Sequence, residues 1–440
     1  MPLINPLNWP YRVVSRIPLL VLLSLLLRGS RSGAQEAPLR IPFEPTVTYG
    51  EGYGAEAMAA QRHLHLKLLD QLLQQRPQEN LLFSPLSIHL ALSMVYNGAS
   101  GDTQAAMAKV LAVEELSLTQ LNWANAQQMH RLIEPSHPLP IPGSQEKQPQ
   151  VQVRIANGLW VDQSLTLQPQ FLQASASYYQ ALVNRVDLGS QQTVEDINTW
   201  VADRTEGKID RLVERLSRED LMVLLNAIYF KGEWSQPFDP ARTQMQPFTR
   251  ADGSQVEVPM MARSGRYGYL ETEQVQVVRL PYGQGELEMV VLLPRQGVDP
   301  ETLRADLTPE TWAEWTGSLP ERAGSVQLPR FSLAYETDLV PVLEQLGMGI
   351  AFSNQADFTA LTPEPVRLSR VVHKAVIEVN EEGSEAAAAT GVILSRTSID
   401  REEPFQFVAD RPFWFAIKDS QTQAVLFMGA VADPQPNPPD

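Results

Sequence analysis

The chain contains no cysteine. Disulfides, thiolate metal sites and cysteine nucleophiles are excluded at once, and so is a lipid anchor attached through a cysteine behind an N-terminal apolar segment. Positive charge is also scarce. Against 51 Asp and Glu stand 35 Lys and Arg, a net charge of −16, which argues against nucleic acid, heparin-like polyanions or acidic membranes as partners and fits a soluble monomer. Enzyme signatures are missing too. There is no Gly-x-Ser-x-Gly elbow, no His-Glu-x-x-His and no dinucleotide fingerprint, and Gly207-Lys208 is not a phosphate loop because Ala202 stands where such a loop needs glycine. No catalytic residue, metal or cofactor is expected.

The apolar stretch near the N-terminus is short. Residues 17–27 follow Arg12 and Arg16 and precede Arg28 and the small Ser32, Gly33 and Ala34. Such a segment is too short to span a bilayer comfortably and suits a signal peptide over residues 1–34, with a short membrane anchor as the alternative. The signal reading places the mature protein outside the cell or in a periplasm, away from the membrane. Residues 35–54, rich in Pro, Gly and Glu, read as a flexible leader, and residues 434–440 as a disordered tail.

Between them, no linker divides residues 55–433. Leu64, Leu68, Leu69, Leu72 and Leu73 recur at helical spacing, while His63 and His65 diverge and read as solvated. Ser84 can cap, and Pro85 can begin, a helix that is apolar on most sides and must be buried. An amphipathic helix is expected over 114–132, a proline-rich insertion over 135–150, a strand over 151–162, a helix over 194–201 and an apolar central strand over 225–234. Further strands follow over 267–293 and 328–333. A helix with Leu339, Leu343 and Leu346 on one face ends at Gly347, and a core strand pair occupies 412–417 and 424–429. Helices dominate the first third and strands the rest, so the class is α+β.

Residues 370–380 alternate: Val371, His373, Ala375, Ile377 and Val379 share one face, with Lys374, Glu378 and Asn380 opposite. The strand shows no turn at its end and runs into Glu381-Glu382-Gly383-Ser384-Glu385-Ala386-Ala387-Ala388-Ala389-Thr390. Alanine favours helix, so by composition this run is a frayed helix or loop. As a strand it would place Ser384, Ala386, Ala388 and Thr390 on one packable face.

That run, with Lys-Ala-Val-Ile-Glu-Val-Asn before it, resembles the hinge of inhibitory serpins, the serine protease inhibitors that use their own loop as bait. Asn-Leu-Leu-Phe-Ser-Pro-Leu-Ser-Ile (80–88), Asn-Gly-Leu-Trp (157–160), Leu-Asn-Ala-Ile-Tyr-Phe-Lys-Gly-Glu-Trp (225–234) and Asp-Phe-Thr-Ala-Leu (357–361) are similar to family phrases in family order. The resemblance implies one domain of three β-sheets with about eight or nine helices and an exposed reactive-centre loop over about 381–404.

It also implies roles. Glu381, Gly383, Ser384, Glu385, Ala386, Ala387, Ala388, Ala389 and Thr390 would form the hinge, with Glu381 pairing Arg330; exposed, such a pair is worth only ~0–1 kcal/mol. Ser84, Ser87, Asn226 and His373 would form the polar cluster under the place where the main sheet opens. A serine protease would be the partner, held as a covalent acyl complex. Family spacing puts the attacked bond at Thr397-Ser398, whereas a loop one residue shorter puts Arg396 there; Arg396 suits a trypsin-like pocket and Thr397 an elastase- or subtilisin-like one. Only His130 and Arg131 match the basic patch of heparin-activated members, so a polyanion cofactor is not expected. A non-inhibitory carrier, chaperone or storage serpin is the alternative.

Overall fold

A computed structural model describes residues 52–133, 150–384 and 403–434. Among them lie nine α-helices: α1 (Gly52–Gln75), α2 (Pro85–Tyr96), α3 (Gly101–Leu111), α4 (Leu118–Ile133), α5 (Pro169–Tyr179), α6 (Gln191–Arg204), α7 (Pro300–Ala305), α8 (Pro309–Thr316) and α9 (Val340–Leu343). The strands are β1 (Leu81–Phe83), β2 (Val151–Asp162), β3 (Leu182–Val186), β4 (Met222–Glu233), β5 (Gln244–Thr249), β6 (Gln255–Glu271), β7 (Val275–Tyr282), β8 (Leu287–Pro294), β9 (Glu321–Pro329), β10 (Phe331–Asp338), β11 (Arg370–Val379), β12 (Gly383–Ser384), β13 (Phe405–Val408), β14 (Phe413–Asp419) and β15 (Val425–Val431).

They form three sheets, two of which share a strand. The main sheet runs β10-β11-β4-β2-β3, with β12 also on β4. A second runs β1-β15-β14-β8-β7-β6, and the far part of β6 continues into a third with β5, β9 and β13. The change of partner falls at Gly268, the last residue of β6 to pair with β9, beyond which Tyr269 pairs with β7. The continuous apolar run of β4 is explained by its place: β11 flanks it parallel and β2 antiparallel, and its first nine residues are all buried.

Local chemistry sets the helix starts. The Ser84 hydroxyl accepts from Ser87 N at 3.2 Å with Pro85 in the first turn, which launches α2 into the space between β2 and β4 on one side and β15 on the other. Every residue of α2 is buried in consequence. α6 lies elsewhere, packing Val194, Ile197 and Val201 over Val223, Leu225 and Ala227 of β4 and Val372 of β11.

Five expectations are corrected. The amphipathic helix starts at Leu118 rather than 114, because Ser117 and Gln120 cap one another reciprocally at 2.8 and 3.3 Å. α1 reaches back to Gly52, into the stretch read as leader. Residues 328–333 are not one strand: Pro329 ends β9 in the third sheet and Phe331 begins β10 in the main one, with Arg330 between them. Of the two histidines read as solvated, His63 is exposed but His65 is 1% exposed, since it follows Gln61 by one helical turn on the inward face of α1. Finally, β11 does end in a turn. Asn380 N donates to Gly383 O at 2.8 Å, and the Asn380 carboxamide oxygen accepts from Glu382 N and Gly383 N at 3.1 and 3.2 Å, a side-chain mimic of a backbone turn.

Candidate functional site: the head of the main sheet

The turn at 380–383 sends the chain back along β4. β12 pairs antiparallel with it, Gly383 opposite Glu233 and Ser384 opposite Gly232. The β4–β11 ladder extends only from Val223/Arg370 to Tyr229/Val376, so β12 enters where those strands have parted, touching both. Glycine is required at 383: its φ is +151°, and a Cβ there would stand 2.0 Å from Gly232 O. Ser384 is fully buried, and its hydroxyl lies 2.9 Å from the Tyr282 hydroxyl, which burial keeps protonated. Tyr282 in turn stacks on Trp234 at 4.2 Å.

The backbone before β12 is stitched down. Trp234 Nε1 donates to Asn380 O at 3.0 Å, Phe238 N to Glu381 O at 2.7 Å and Trp234 N to Glu382 O at 2.8 Å. Glu381 accepts on one carboxylate oxygen from both Arg330 Nη2 and Thr243 Oγ1, each at 2.6 Å. Burial works to raise this carboxyl, but the bonds from Arg330 and Thr243 outweigh it and hold the group below the usual carboxylate range. The pair is not the exposed one expected: the Glu381 side chain is 6% exposed against 37% for Arg330, because the turn presses the carboxylate inward.

Lower in the sheet, His373, Asn226 and Asn157 stand side by side across β11, β4 and β2. The first turn of α2 meets them. Ser84 N donates to His373 Nε2 at 3.0 Å, so the proton is on Nδ1, which donates to Asn226 Oδ1 at 2.6 Å. Asn226 Nδ2 then donates to Asn157 Oδ1 at 2.6 Å and to Ser87 Oγ. Each group has its role set by the next, and the imidazole must be neutral; burial lowers its pKa to about 3.

The fold therefore gathers Ser84, Ser87, Asn226 and His373 at one place and Glu381 with Arg330 at another. Glu385, Ala386, Ala387, Ala388, Ala389, Thr390, Arg396, Thr397 and Ser398 lie outside the described residues. Sequence alone assigns no site role to Asn157, Thr243 or Tyr282, although Asn157 opens a family phrase and an asparagine inside the apolar run of β2 is a usable signal. Arg131 does not form a free basic patch: its Nε binds the buried Asp419 carboxylate at 2.8 Å. Among the described residues no three metal-binding side chains cluster, and no helix is long and apolar enough to cross a membrane.

The family model described as serpin (serine protease inhibitor) matches residues 59–434. The chain is a serpin. Human neuroserpin is 34% identical over 403 residues, covering 89% of this serpin and 94% of that protein. Serpin B6 of Pongo abelii is 36% identical over 377 residues, covering 81% and 94%. A solved structure of human thyroxine-binding globulin with its ligand superposes with a TM-score of 0.78 at 27% identity, covering 87% of this serpin and all of that chain.

Proposed function

We propose that this serpin is a secreted, monomeric suicide-substrate inhibitor of serine proteases and not an enzyme. One observation carries the reading: Ser384 already occupies a strand position between β4 and β11, in the antiparallel sense that insertion of the following residues would continue. Nothing in Glu385, the four alanines or Thr390 obstructs that continuation except the single glutamate, which strand alternation turns to the opposite face from Ser384.

The protease serine attacks the carbonyl of Arg396 or Thr397 and forms an acyl-enzyme. The freed segment then enters the sheet as a new strand; residues 384–397 extend roughly 46 Å at ~3.3 Å each, which carries the tethered protease far from where it bound. Acyl hydrolysis depends on an oxyanion hole worth ~3 kcal/mol, and distortion of the dragged protease removes it. Arg396 favours trypsin-like proteases and Thr397 elastase- or subtilisin-like ones. With a net charge of −16 and Arg131 engaged by Asp419, no heparin-like cofactor is assigned.

The test is incubation with trypsin, elastase and subtilisin. An SDS-stable complex supports inhibition, and a released C-terminal fragment beginning at Thr397 or Ser398 identifies the bond. Cleavage without a complex would replace this reading by a carrier role, such as the name of thyroxine-binding globulin describes; a fragment beginning before Ser395 would overturn both bond assignments.

A further inference from the structure

Behind α2, on the side away from the His373 cluster, runs a buried polar seam between three helices. α1 contributes Gln61 and His65, α2 His89 and Ser93, and α4 Asn122, Asn125 and Gln128, each nine-tenths or more buried. Both ring nitrogens of His65 and of His89 lack a hydrogen-bond partner, as do Ser93 Oγ, Asn125 Oδ1, Gln61 Oε1 and Gln128 Nε2. The bonds across the seam gather at its Asn122 end, where Asn97 at the end of α2 and Asn122 of α4 exchange carboxamide bonds at 3.0 and 2.7 Å, and leave the two imidazoles out. Gln61 Nε2 donates to Gln128 Oε1 at 2.6 Å, while Asn122 and Asn125 turn toward Tyr179 of α5 at 2.6 and 3.3 Å.

The charged and titratable groups that act here offer an added proton nothing to pair with. His65 faces His89 from α2 and Arg62 from its own helix, both of which oppose a positive charge. His89 meets only the Asn125 carboxamide of α4, close enough to favour the cation slightly but outside hydrogen-bond geometry. Tyr179 from α5 stays a neutral phenol. A buried cation without a carboxylate is costly, so burial lowers His65 well below the ordinary histidine value and His89 to about 4.

We propose that the α1–α2–α4 seam is an acid-released joint, in which falling pH favours separation of α1 and α4 from α2 through protonation of His89 and His65. The closed seam binds fewer protons than the open one between pH 4 and 6.5, so falling pH favours opening. α2 is also the helix whose first turn holds His373 and Asn226, which places the joint two residues along from Ser87. Loss of support behind α2 thereby reaches the strands that must part.

Hydrogen exchange of the full chain, corrected for intrinsic chemistry, tests this. Lowering pH from 7.4 to 5.0 should raise the opening constant of α4 amides roughly 25-fold through His89 alone, with His65 multiplying that rise; His89→Gln and His65→Gln should each cut the parent's rise by about tenfold or more, and the double variant should bring it under about threefold. An unchanged rise in His89→Gln, or none in the parent, would overturn the proposal. If the variants fold poorly, NMR titration of the parent imidazoles decides: two rings still neutral at pH 5 whose later titration coincides with shifts of α4 amides support the joint, whereas titration near pH 6.5 refutes it.

Discussion

Arg330→Ala isolates the clamp at the hinge. The Glu381 side chain is 6% exposed and Arg330 37%, so the change leaves a nearly buried carboxylate with Thr243 as its remaining side-chain donor. Breaking a fully buried pair costs 3–5 kcal/mol and an exposed one ~0–1 kcal/mol; with one partner a third open and Thr243 still bonded, about 2 kcal/mol is expected. Glu381→Gln should cost less, about 1 kcal/mol, because its amide oxygen still accepts from both partners. The double variant leaves no unpaired charge and should cost no more than Arg330→Ala, giving a coupling of about 1 kcal/mol or more. The carboxyl is held below its ordinary value, so its contribution is present above the ordinary carboxylate range and disappears as pH falls through the lowered value. Urea unfolding of all four proteins at pH 7 and pH 3, read at the first transition, measures the cycle, and exchange of the Gly383 amide reports whether β12 has left the sheet. A cost under 0.5 kcal/mol at pH 7, or no coupling there, would refute the buried clamp and return the pair to an ordinary surface contact.

Three further outcomes follow from the same geometry. Ser384→Arg places a guanidinium where the side chain is fully buried against Tyr282, so β12 should leave the sheet and protease turnover should replace complex formation; an unchanged stoichiometry of inhibition would defeat this. Cleavage within residues 392–398 should raise the melting temperature markedly, because the freed segment can extend β12 down the β4–β11 seam, and coincident melts of intact and cleaved protein would instead favour the carrier role. His373, lowered to about 3 by burial, contributes stability that is present above pH 6.5 and drains away as pH falls toward 3. About 2 kcal/mol should be lost by pH 5, and that part of the acid sensitivity should vanish in His373→Gln; equal urea shifts in parent and variant would remove His373 from the account.

What the sequence determined alone is whatever short-range pattern controls. The apolar run of residues 225–230 could lie only inside a sheet, the Ser84-Pro85 start followed by an all-round apolar helix could lie only in a core, and alternation along residues 370–379 set which side of β11 faces inward. Family phrases added the pairing of Glu381 with Arg330 and the grouping of His373 with Asn226, which periodicity cannot supply because partners far apart in the chain leave no periodic mark. Tertiary structure decided the rest. A two-residue strand has no sequence signature: β12 exists because Gly383, lacking a Cβ, can lie against the Gly232 carbonyl, Tyr282 reaches Ser384 from another sheet and Trp234 binds Asn380. His65 looked solvated because polarity was read without the helix's rotation against α2 and α4, and Arg330 looked like mid-strand because only the packing of two sheets reveals that the chain changes sheet there. In each case the deciding term is a contact between residues distant in sequence, which local propensity does not encode.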